Sequence, residues 1–142
     1  MPITTIFGYR SGLGITSLIF TIGMAITYFS EQYWAMYFGF VFIGIAENLF
    51  QIMSSFLLMA LLPTHGALAA GLSSFGAGVA PAFWALLTLT VVNPDNQLPS
   101  LMAREGDQDV LYFDHSISEN SKLIFGIGAL SGLGLTFLVT PL

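Results

Sequence analysis

The chain has 142 residues, of which 55% are hydrophobic and only 8% charged, with a mean hydropathy of +0.81. Soluble domains are about 25% charged, so a membrane class is favoured from the outset. A formal net charge of −5 with three basic residues, Arg10, Arg104 and Lys122, excludes a nucleic-acid surface, which needs clustered lysine and arginine. The absence of cysteine removes disulfides, thiolate metal sites and cysteine nucleophiles.

The N-terminal "MPITTIFGYR" lacks a basic stretch followed by an apolar core and a small-residue cleavage site, so no cleavable targeting segment is expected. The first apolar segment, residues 11–29, carries no charge. A helix needs roughly 20 apolar residues to cross a hydrocarbon core of about 30 Å, and this segment is just long enough. "SEQ" at 30–32 is a tight polar turn.

The second segment, 33–62, is interrupted only by Glu47, Asn48 and Gln51. At 3.6 residues per turn, Gly44, Glu47, Gln51 and Ser54 fall within an arc of about 80°, and Asn48 and Ser55 widen it to about 120°. These residues form one stripe. An ionised acid at mid-membrane costs roughly 3 kcal/mol, so the stripe is expected to face protein or water. Three readings stay open: a site for a polar solute or proton, a hydrogen-bond node completed by Ser73, Ser74 or Thr16, or a ligand set for a pigment or lipid headgroup.

"PTH" at 63–65 ends the second helix, and the third segment spans 66–92. Pro81 lies well inside it and is expected to kink it, since proline removes the hydrogen bond to the carbonyl of Ala77. Gly76 and Gly78 precede that kink. With Gly128 and Gly132, which stand in GxxxG register, they are the expected sites of close helix packing. That packing serves either the four-helix unit or docking of another protein.

Residues 93–121 hold six of the eight acids between Asp95 and Glu119. They read as one long acidic loop outside the membrane, within which "VLYF" suits a short strand or an interfacial anchor. The fourth segment, 123–142, completes four spans. Arg10 lies on one side and Arg104 and Lys122 on the other, which leaves the orientation open under the positive-inside rule. The fold class expected is all-α, an integral membrane four-helix unit forming a single domain.

The chain resembles part of a major-facilitator-type transporter. "FGYR" is similar to the Gly/Arg-containing loop before the third helix of that fold, and "YFGFVFIGIAENLF" to its Gly-rich fourth helix. "LPTHGALAAGLSSFGAG" resembles the loop and fifth helix of oxalate/formate and monocarboxylate carriers, with Pro63, Ala69, Gly71, Gly76 and Gly78 matching without gaps. The arginine those carriers keep at or beside Gly66 is missing. "GIAENLF" and "SSFGAGVAPAFWALL" are similar to segments of the lysosomal battenin family, with Glu47 and Phe50 at matched positions and a different spacing between segments. The Gln51 and Pro63 region resembles equilibrative nucleoside transporters more loosely. The resemblance implies about four of eleven or twelve helices, whereas alternating access needs two bundles rocking about a midplane site.

No HExxH, phosphate-binding glycine loop or supported Ser/His/Asp set is present, so an enzyme and a bound metal are not expected. The function expected is an accessory or structural subunit of a larger membrane assembly. The partners expected are the bilayer and other membrane subunits, with the 93–121 connection touching neighbours. The alternative is a half-size secondary transporter working as a homo-oligomer with Glu47 at its site. A bound lipid fits either, and a pigment is less supported. The organelle is left open; an organellar energy-transducing membrane and an endolysosomal membrane both fit.

Overall fold

A computed structural model describes residues 2–105 and 108–139. The elements are α1 (Pro2–Phe29), α2 (Tyr33–Leu61), α3 (Gly66–Val91), β1 (Leu101–Glu105), β2 (Gln108–Tyr112) and α4 (His115–Val139). The fold is all-α with a small antiparallel hairpin. Four helices are long and apolar enough to cross a membrane: Gly8–Phe29, Tyr33–Leu61, Gly66–Val91 and His115–Val139. The chain is a multi-pass membrane protein by that measure.

The helices form because apolar runs without charge have few alternatives in hydrocarbon, where each backbone polar group must be satisfied within its own segment. The first helix begins earlier than residue 11, at Pro2, and breaks at Gly8, whose φ of 73° and ψ of 170° suit a residue without a side chain. The span proper starts there. The third helix runs through Pro81 as one element.

The fourth helix departs from expectation at its start. It begins at His115 rather than 123, so "HSISENSK" forms two polar helical turns ahead of the apolar run. Asp114 caps those turns. Its carboxylate accepts from the Ser116 backbone N–H at 2.9 Å and from the Ser116 hydroxyl at 2.9 Å. The single acidic loop over 93–121 is therefore replaced by a turn, a hairpin and the head of α4. In the hairpin Leu101 faces Tyr112 and Met102 faces Leu111. "VLY" is thus strand, as one of the two expectations held. Asn93 closes the preceding turn, accepting from the Gln97 N–H at 2.8 Å and donating to its carbonyl at 2.9 Å. The last three residues of the fourth segment, 140–142, lie outside the described residues.

The first helix is central, packed antiparallel between α2 and α4, while α3 leans on α2 and α4 with little contact. Among the described residues the core combines small and hydroxylated residues with Met24, Ile43, Met53 and Ile124. The largest fully buried side chains are Thr16, Thr27 and Ser17. Each hydroxyl is used: Thr16 donates to the Gly12 carbonyl at 2.8 Å, Thr27 to Gly23 at 3.0 Å, and Ser17 crosses to the Gly132 carbonyl at 2.6 Å. Most of the aromatic and leucine side chains point outward, among them Phe29, Trp34, Tyr37, Phe75, Phe83, Leu130, Phe137 and Leu138. This inverted distribution suits a lipid solvent. There helices associate by close backbone approach and hydrogen bonds, because burying a leucine against protein gains little over leaving it in acyl chains.

Close approach is greatest between α1 and α2. A Cβ on Gly23 would lie 2.9 Å from both the Gly39 carbonyl oxygen and the Ile43 nitrogen. A Cβ on Gly39 would run into the Thr27 hydroxyl and sit 2.9 Å from the Gly23 carbonyl oxygen. On the α4 side, a Cβ on Gly132 would meet Thr21 Oγ1 at 2.5 Å and Phe20 Cδ1 at 3.0 Å, and one on Gly128 would meet Met24 Sδ at 2.9 Å.

Candidate functional site

The polar stripe is built on α2. The residues that bury α2 against its neighbours are Gly39, Ile43, Ala46 and Met53. At 100° per residue they centre on a direction about 120° away from the stripe. The same helix that hides glycine and methionine against α1 therefore presents its acid and amides elsewhere. Glu47, Asn48 and Gln51 are exposed, and Ser54 and Ser55 half-buried.

Asn48, Ser54 and Ser55 use their side chains in hydrogen bonds. The Asn48 side-chain amide donates to the Gly44 carbonyl at 2.8 Å. Ser54 and Ser55 donate to the Gln51 carbonyl at 3.0 and 2.8 Å. Ser55 also reaches α3, where its hydroxyl lies 2.7 Å from that of Ser73. The structure thus makes one interhelical hydrogen bond at the end of the stripe. It does not bring a donor to the carboxylate. The Thr16 hydroxyl is committed to Gly12 in its own helix and Ser73 to Ser55, and Ser74 is exposed on α3. Glu47 has no side-chain partner among the described residues.

Its depth is unusual. Glu47 is the central residue of α2, 14 residues from Tyr33 and 14 from Leu61, which is about 21 Å of helix on either side. Among the described side chains no lysine or arginine stands at that level: Arg10 is in the first turn after the Gly8 break, and Lys122 is where α4 turns apolar. The described residues contain no cluster of three or more histidines or acids that would hold a metal ion.

The third helix lies beside this stripe with an open face of its own. Of its residues only Ala69 is buried. A Cβ added to Gly71, Gly76 or Gly78 would meet nothing within 4 Å. The structure accordingly separates the glycines singled out in the sequence. Gly128 and Gly132 seat α1 against α4, whereas Gly76 and Gly78 lie on a surface that no part of the described chain covers.

The α1–α2 contact through Gly23, Gly39 and Thr27 escaped sequence reading. A search for glycine pairs at four-residue spacing does not find it, because its partners are Gly23 with Thr27 on one helix and Gly39 with Ile43 on the other. Small–xxx–small spacing with threonine admitted, which also selects Gly12 and Thr16, was the available signal.

Outside the spans, the hairpin is clothed with exposed apolar side chains, Leu98, Leu101, Met102, Leu111 and Phe113. It belongs to a two-stranded sheet with no third strand among the described residues, an arrangement marginal in water unless something packs on it. His115 and Glu119 pair at 3.3 Å on the exposed head of α4. The chain matches no protein-family model, no curated protein and no solved structure.

Proposed function

We propose that this chain is an accessory or structural transmembrane subunit of a larger membrane complex, built from a transporter-like helical unit. The observation that carries the reading is Glu47, central in a membrane-length helix, exposed, and without a partner among the described residues. Against lipid, such a group costs roughly 3 kcal/mol. A neighbouring helix carrying a donor or a cation at that depth offsets the cost. The uncovered small-residue face of α3 adds a surface on which another helix can approach closely. The apolar hairpin adds a third contact outside the spans.

Gentle extraction followed by native mass measurement tests this. The expected result is a complex containing foreign chains, from which Glu47→Lys releases the protein. Isolation as a self-assembled oligomer alone contradicts it.

One observation favours a second reading, a half-size secondary transporter. The stripe runs from exposed Glu47, Asn48 and Gln51 to the Ser55–Ser73 junction between α2 and α3, so two copies apposed over its exposed part would enclose a polar cavity near the midplane, where carriers keep their sites. In that case Glu47→Gln abolishes uptake by reconstituted vesicles and leaves helicity intact. Unchanged uptake counts against it.

A further inference from the structure

A groove of about 390 Å³ runs between the end of α1 and α4, lined by Tyr28, Phe29, Leu123, Gly126, Ile127 and Leu130 among others. Its size falls in the range of small-molecule sites, about 300–1,000 Å³. Gly126 sets its shape. A Cβ there would lie 3.2 Å from the Tyr28 ring, so the ring rests on bare α4 backbone. The walls stay open, with Phe29 78% and Leu130 73% exposed. The groove is apolar along its length, and its mouth is charged. Glu31 follows Phe29 by two residues as the chain leaves α1, and Lys122 precedes Leu123 by one where α4 turns apolar. Both are exposed. On the helix, Lys122, Gly126 and Ala129 fall within about 60° of arc, so Lys122 shares the face of α4 that lines the groove, one turn before Gly126. Tyr33, Trp34 and Tyr37 cluster at the same end of the bundle, as aromatic residues do at the membrane–water interface.

We propose that this groove binds a single zwitterionic phospholipid, its phosphate on Lys122, its headgroup ammonium on Glu31, and an acyl chain along Gly126. Charge selects this occupant. Lys122 is the one lysine or arginine on α4, with Asp114 and Glu119 on the same stretch of chain and Glu31 just beyond the end of α1. A purely anionic headgroup would meet repulsion from those carboxylates, whereas a phosphate with an attached ammonium satisfies both signs. This site lies at the interface on α1 and α4, away from the Glu47 stripe, and stands or falls independently of the subunit reading.

The test is native mass spectrometry of the full chain from detergent, titrated with dioleoyl phosphatidylethanolamine or dioleoyl phosphatidylglycerol at equal mole fraction. One phosphatidylethanolamine adduct per chain is expected to survive activation that strips phosphatidylglycerol. Lys122→Gln lowers its retention about fivefold, the effect of one basic residue near a phosphate. Glu31→Gln narrows the difference between the two lipids, and Gly126→Leu, which fills the groove, removes the adduct. Should Gly126→Leu lose helicity, the two surface variants decide. Equal retention of both lipids, indifference to Lys122→Gln, or a second copy of the chain seated across the groove would overturn the proposal.

Discussion

At the scale of single residues, what holds this protein together is the absence of side chains at a few points and the use of small hydroxyls at others. Gly39 is the most constrained. Its position against Thr27 and the Gly23 carbonyl leaves no room for a larger residue without separating α1 from α2. Gly39→Leu is expected to destabilise the unit by about 1–3 kcal/mol, the usual cost of overpacking, read as a lower midpoint of thermal unfolding in detergent. Gly76→Leu, which points into open space, is expected to leave that midpoint unchanged. Equal effects of the two would show that the α1–α2 contact is not the tight one.

A second residue-scale prediction concerns pH. Hydrogen bonds from the Ser116 backbone and side chain, with a smaller contribution from His115, hold the Asp114 carboxyl below the usual carboxylate range. A lowered folded pKa means that the cap stabilises α4 above the ordinary carboxylate pKa and is lost as the pH falls through the lowered value. The protection factors of amides 116–118, exchange rates normalised to the intrinsic rate at each pH, are therefore expected to fall on acidification past that point and to be flat above neutrality. In Asp114→Ala the protection there is lower above that point, equal to the wild type below it, and the acid-dependent step disappears.

At the scale of elements, four spans, their approximate limits and the small-residue seam of α4 were legible in the sequence. The reason is physical: about 20 consecutive apolar residues have one stable arrangement in a bilayer, and Gly128 and Gly132 advertise close approach. The start of α4 was not legible, because "HSISENSK" is polar enough to pass for loop. What makes it helix is the Asp114 cap, together with the apolar run it leads into. The hairpin was half legible, through "VLY" but without its partner strand. The third helix could be located but its looseness could not. It has the composition of its neighbours, and only its placement shows that Ala69 alone is buried. Local opening follows sparse packing, so hydrogen exchange on the isolated chain is expected to be fastest, among the spans, in α3 between residues 71 and 88. Protection of α3 equal to that of α1 would contradict the packing described.

At the scale of the whole molecule, the candidate site was legible as a composition and a spacing, and illegible as a direction. Helical periodicity gathers Glu47, Asn48, Gln51, Ser54 and Ser55 into one stripe, but it cannot say whether that stripe faces a neighbour. That is decided by Gly23 and Gly39, which rotate α2 so that Ala46 and Met53 go inward and the carboxylate outward. The outward direction carries the functional account. On the proposed reading, the mid-span acid, without a partner among the described residues, is the point that a neighbouring chain would cover.

The most direct measurement is site-specific photocrosslinking in native membranes, with a photoreactive side chain in place of Gln51, one turn from Glu47. The account predicts adducts with one or a few defined foreign membrane chains, lost when Glu47→Lys is added. Adducts with lipid alone, or only with a second copy of this chain, would contradict it.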